Sequence, residues 1–136
     1  MRGIALAVIV LVSVSGGGWA GDASIIEGVA YPDDATARAA WKPMGATAPV
    51  SVVEKDGVRA LKMPCNFKGT KFDRASWDLS VQRDLSFCQG LQFRLYCADL
   101  SPISHFSFYL QSGNGWYSAG FAPVKQGGWC TVTIEK

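Results

Sequence analysis

The stretch HFSFYLQSGNGWYSAGF, residues 105–121, decides the fold. With Ser112 to Gly115 taken as a four-residue loop, Gln111 falls opposite Trp116, Leu110 opposite Tyr117 and Tyr109 opposite Ser118. Further along, Phe108 meets Ala119, Ser107 meets Gly120 and Phe106 meets Phe121. Directly opposed residues of an antiparallel pair share a face. One face therefore reads Phe106, Phe108, Leu110, Tyr117, Ala119 and Phe121, which is a core. The other reads Ser107, Tyr109, Gln111, Trp116, Ser118 and Gly120, with His105 at its end. A slip of one residue would bury Gln111 and expose three phenylalanines, so burial itself selects this register.

Working outward, the same two-residue period recurs. Leu91–Cys97 alternates Leu91, Phe93, Leu95 and Cys97 against Gln92, Arg94 and Tyr96. Trp129–Ile134 places Cys130, Val132 and Ile134 on one side. Val50–Glu54, the turn Lys55-Asp56-Gly57 and Val58–Phe67 read as a second hairpin, with Leu61, Met63, Cys65 and Phe67 inward. Phe72–Leu79 and Ile25–Ala30 read as further strands. Short strands separated by turn signals predict an all-β sandwich or barrel. One helix is predicted, Ala35–Trp41, capped by Asp34 and stopped by Pro43. Trp41, Trp77 and Trp129 are expected to fill the core, and Arg74 and Asp78 to form a surface salt bridge.

The N-terminus reads as a signal peptide. Arg2 precedes an apolar run from Ile4 to Val14, and Gly18 and Ala20 are small residues suited to a cut after Ala20. The run is shorter than the roughly 20 residues that a membrane helix needs. The expected mature chain is one domain, residues 21–136, exported to the periplasm or the extracellular space. Its strand pattern stops abruptly at GGWCTVTIEK, which reads as a sandwich whose closing strands lie further along a longer protein.

The whole chain has 13 basic and 11 acidic side chains, so nothing in its charge points to nucleic acid or a membrane surface. Four cysteines (Cys65, Cys88, Cys97 and Cys130) and one histidine lack zinc-site spacing. Export permits disulfides, while the apolar sides on which Cys65, Cys97 and Cys130 fall suit buried free thiols; both stand at this point. No nucleophile elbow, phosphate loop or dinucleotide fingerprint is present, so the segment is read as noncatalytic. Most acids occupy turns, and turn chemistry accounts for them.

The polar face of the hairpin suggests a ligand. Sugars have apolar C–H faces ringed by hydroxyls, and flat aromatic side chains match the first while amides match the second. Tyr109 and Trp116 are the candidate stacking residues, with Gln111 and His105 beside them. Arg94 and Tyr96 extend this face if their strand joins the same sheet. The competing expectation is that a neighbouring domain covers the face and no sugar binds.

The elements DDATARAAW, GVRALKMPCNF, WDLSVQRDLSFCQGLQFRLYC, FSFYLQSGNGWY and GGWCTVTIEK together resemble the galactose-binding-domain-like modules of secreted bacterial glycan-processing proteins. The resemblance spans nearly all of residues 21–136. It implies an antiparallel jelly-roll β-sandwich, a glycan as ligand and a glycoside hydrolase domain as C-terminal neighbour. It also implies a structural calcium, for which Asp33 and Asp34 are the candidate ligands.

Overall fold

The computed structural model describes residues 4–6, 10–14, 23–65, 67, 70–71, 73–86 and 88–135. The chain is mostly β with one short helix, as the alternation predicts. In order the elements are β1 (Ile4–Leu6), β2 (Val10–Val14), β3 (Ala23–Glu27), α1 (Asp34–Ala40), β4 (Trp41–Pro43), β5 (Ser51–Lys55) and β6 (Val58–Met63). Then come β7 (Trp77–Leu79), β8 (Cys88–Tyr96), β9 (Phe106–Ser112), β10 (Gly115–Phe121) and β11 (Trp129–Glu135). Seven strands form one sheet, ordered β3-β2-β8-β1-β6-β5, with β11 also on β8. β9 and β10 form a separate pair, as do β4 and β7.

Strand β8 is the hub. β11 pairs with it from Trp129↔Tyr96 to Glu135↔Gly90. β2 pairs with residues 88–92 and β1 with Tyr96. Because β2 and β11 address overlapping residues of β8, they lie on its opposite edges. The inward residues of β8 and β11 match the predicted alternation: Leu91, Phe93, Leu95, Cys130, Val132 and Ile134 are all buried. The hairpin presses its phenylalanines onto this core. Phe121 meets Phe93 edge-on at 5.1 Å between ring centres and stacks on Phe106 at 5.3 Å. Gly90 is where β11 comes closest, since a Cβ there would sit 2.4 Å from the carbonyl oxygen of Ile134.

Local chemistry sets the ends of the elements. The β5–β6 turn uses Asp56 and Gly57 at φ of 53° and 73°, both in the left-handed region that two-residue hairpins use. The helix cap is Asp33, one residue earlier than the sequence suggests; its Oδ1 accepts from the Thr36 N–H and hydroxyl, both at 2.8 Å. Those bonds hold the Asp33 carboxyl below the usual carboxylate range. Asp34 instead clamps the helix to β5: its Oδ1 accepts from Val52 N–H at 2.7 Å and its Oδ2 pairs with Arg38 at 3.2 Å. Arg38 Nε also donates to the Val50 carbonyl at 2.8 Å.

Several strands are shorter than their apolar patterns. β6 stops at Met63, before Pro64, which has no N–H to donate. β3 stops at Glu27, and Val29 follows at a φ of 53°. Of the predicted Phe72–Leu79 strand only Trp77–Leu79 is β; Phe72 lies outside the described residues. Ser76 is held by single bonds in place of a ladder, with Met44 N–H donating to its carbonyl at 3.0 Å and its own N–H donating to Thr47 Oγ1 at 3.1 Å.

The turn of chain after β3 is organised by a buried carboxylate. Glu27 is 6% exposed and accepts three hydrogen bonds. These come from Val29 N–H at 2.6 Å, Trp41 Nε1 at 3.2 Å and the Tyr31 hydroxyl. Burial, then the bond to Glu27, pushes the Tyr31 hydroxyl well above the ordinary phenol range. Cys65, Cys97 and Cys130 are free thiols. Burial pushes the Cys65 thiol up to about 11 and raises that of Cys97 as well.

Candidate functional site

The β9–β10 register is the one the sequence dictates: Trp116↔Gln111, Tyr117↔Leu110, Ser118↔Tyr109, Ala119↔Phe108, Gly120↔Ser107 and Phe121↔Phe106. The loop is tighter than four residues, because Ser112 pairs with Gly115 and leaves Gly113-Asn114 as the turn. Gly113 has a φ of 57°, the sign that glycine supplies at the first position of such a turn. The inner face holds Phe106, Phe108, Leu110, Ala119 and Phe121, all half-buried. Tyr117 shares this face and lies at its margin, where its hydroxyl donates to the Glu135 carbonyl at 2.7 Å.

The outer face is open along its whole length. Ser107, Tyr109, Gln111, Trp116, Ser118 and Gly120 are all exposed, Tyr109 to 52% and Trp116 to 68%. Two large aromatics thus stand in water on one face, Tyr109 opposite Ser118 and Trp116 opposite Gln111. Gln111 is the directly opposed partner of Trp116, which puts an amide side chain beside the indole on the same face. His105 stands just before β9, exposed, with its Nδ1 3.0 Å from the Ser104 hydroxyl.

Arg94 and Tyr96 do not extend this face. Their strand, β8, belongs to the seven-stranded sheet, whereas among the described residues β9 and β10 pair only with each other. They form a second cluster with Trp129 and Lys55. Tyr96 meets the Trp129 ring edge-on at 5.6 Å, Arg94 stacks over Trp129 at 5.0 Å, and Lys55 lies 4.7 Å from the centre of Tyr96. All four are half-buried, so their aromatic faces are largely satisfied within the chain. Trp129 is accordingly not a core residue. It faces away from Cys130, Val132 and Ile134, and its Nε1 donates to the Lys55 carbonyl at 3.3 Å. Trp41 is buried, and half-buried Trp77 packs on the core with Nε1 bonded to the Ala48 carbonyl at 2.8 Å.

Sequence reasoning missed one neighbour of the open face. Among the described residues Arg74 makes no salt bridge with Asp78. Its guanidinium lies over the Tyr109 ring, 5.8 Å from the ring centre. The only sequence signal was the presence of a cation near Trp77; nothing local links residue 74 to residue 109.

Asp33 and Asp34, the candidate calcium ligands, spend their carboxylates on the helix cap and the helix clamp described above. Among the described residues no group of three or more His, Cys, Asp or Glu side chains is placed to hold a metal ion. Residues 15–22, which contain the expected cleavage site, lie outside the described residues. The apolar run ahead of it contributes β1 and β2 to the seven-stranded sheet. No protein-family model, curated protein or solved structure matches the chain.

Proposed function

We propose that this chain is a noncatalytic carbohydrate-binding module of an exported glycan-active protein, built as a galactose-binding-like β-sandwich. Tyr109 and Trp116 form the stacking platform, and Gln111 bonds sugar hydroxyls beside them. The observation that carries this reading is the exposure of Trp116 and Tyr109 on one face of a hairpin whose other face packs phenylalanines on the core. A large aromatic left in water forgoes burial worth about 1.5–3 kcal/mol. Two on the same face supply rigid contact area, with few rotors to freeze when a pyranose ring settles on them.

The resulting affinity is modest. Each aromatic contact contributes about 0.5–1.5 kcal/mol beyond area burial, a hydrogen bond about 1 kcal/mol, and ordering costs absorb part of the gain. Retention on immobilised polysaccharides in native gels is therefore the suitable assay. Trp116→Ala should abolish retention and leave the thermal unfolding transition in place, because the side chain supports no core contact. Retention unchanged by Trp116→Ala would refute the platform. If the isolated chain binds no glycan, yet Trp116 is protected from oxidation in a longer protein that contains it, the face is instead a docking surface for a neighbouring domain.

A further inference from the structure

We propose that Arg74 completes the open face and selects glycans that carry carboxylates, such as uronate polymers. The inference rests on the platform reading and adds the charge class of its ligand. Three observations carry it. First, the guanidinium sits 5.8 Å from the centre of the Tyr109 ring, on the face that also holds Trp116. Tyr109 keeps about half of its surface in water with the guanidinium over its ring.

Second, Arg74 has no ion-pair partner among the described residues. The acids nearest in sequence are Asp73 and Asp78, both exposed, and neither is bridged to it. The other residues of the face are Ser107, Gln111, Ser118 and Gly120, none of which carries a charge. Among the residues of the face and its described neighbours, Arg74 thus brings a formal charge to a ligand on Tyr109. By contrast, Arg38 and Lys55 are already paired with Asp34 and Asp56.

Third, the chain just after Arg74 is anchored. Ser76 is bonded on both its N–H and its carbonyl to residues 44–47, and Trp77 is pinned through its indole to Ala48. The backbone two residues from Arg74 is thus tied to a different part of the fold from β9. A guanidinium offers a planar pair of donors that matches a carboxylate in bidentate fashion. Set beside an aromatic ring, that geometry suits a uronic acid, whose carboxylate projects from the rim of the sugar while the ring stacks.

The test uses the full chain, with polygalacturonate and alginate as probes against the same polymers after carboxyl reduction, which leaves the sugar rings neutral. Wild type should be retained on the acidic polymers on the order of 10-fold more strongly than on the reduced ones, and added salt should shrink the difference. Arg74→Gln should erase the preference and keep the weaker neutral binding, while Trp116→Ala should weaken both. Equal retention on both forms, still lost in Trp116→Ala, would overturn the role of Arg74 and leave the platform standing. A preference that survives Arg74→Gln would overturn it too, as would no retention on either acidic polymer. A preference lost in Arg74→Gln but indifferent to Trp116→Ala would remove the platform and keep Arg74 as a carboxylate contact.

Discussion

Replacing Glu27 by alanine should cost this protein a large part of its stability. The carboxylate is nearly sealed from solvent and serves three donors. Val29 and Trp41 are buried themselves, so in the variant their N–H groups lose the acceptor and find no water. A buried donor left unmet costs about 1–3 kcal/mol. Tyr31 is half-buried and can turn its hydroxyl to solvent, so its loss is smaller. Removing a buried charge returns part of the penalty, because a desolvated carboxylate is itself unfavourable. The balance is a loss of roughly 3 kcal/mol, against a total stability of about 5–15 kcal/mol for a domain. In urea, with a slope of about 1–3 kcal/mol/M, the midpoint should fall by roughly 1–3 M. Glu27→Gln keeps one acceptor oxygen and should lose about half as much. A midpoint for Glu27→Ala within about 0.3 M of wild type would refute the idea that this carboxylate organises residues 27–41.

Other outcomes follow from the same packing. Gly90→Ala should detach β11 or abolish soluble expression, since its Cβ would meet backbone, not a yielding side chain; a Tm within two or three degrees of wild type, roughly 1 kcal/mol or less, would contradict this. The Cys65 thiol, raised by burial to about 11 from an ordinary 9.0, should resist alkylation at pH 8 in the folded protein and react on unfolding. Because its folded pKa lies above the unfolded one, stability is unaffected below about pH 9 and falls as the pH rises towards 11, a slope that Cys65→Ala should flatten. Mass spectrometry of secreted protein should find Gly21 as the first residue. Cleavage there removes β1 and β2, so the 21–136 chain should self-associate through the freed edges of β6 and β8, which analytical ultracentrifugation reads directly.

The parts of the fold legible in the sequence are those governed by local period. The alternation in Leu91–Cys97 and Trp129–Ile134, and the two-faced hairpin, follow from burial acting on neighbours two residues apart. The outward position of Trp129 was equally legible, because it sits one residue from Cys130 and so on the opposite side; hydrophobicity alone points the wrong way. The choice between Asp33 and Asp34 as helix cap turns on which carboxylate reaches Thr36, a matter of one residue that composition does not decide. Which sheet β8 joins was not legible, and with it the placing of Arg94 and Tyr96, because pairing with residues as distant as Ala5 and Trp129 leaves no local mark. The same holds for Glu27, whose partner Trp41 lies 14 residues away, and for Arg74 beside Tyr109.

The hub position of β8 bears on when the chain can fold. Its neighbours come from both extremes of the sequence: residue 5 lies beside residue 96, and residue 96 beside residue 129. No early portion of the chain can finish the large sheet during synthesis, because β8 must wait for β11 and β1 must wait for β8. Sheets closed by such distant pairings form slowly, on the order of milliseconds to seconds. The large sheet is therefore completed late, once the residues of β8 and β11 have both been made.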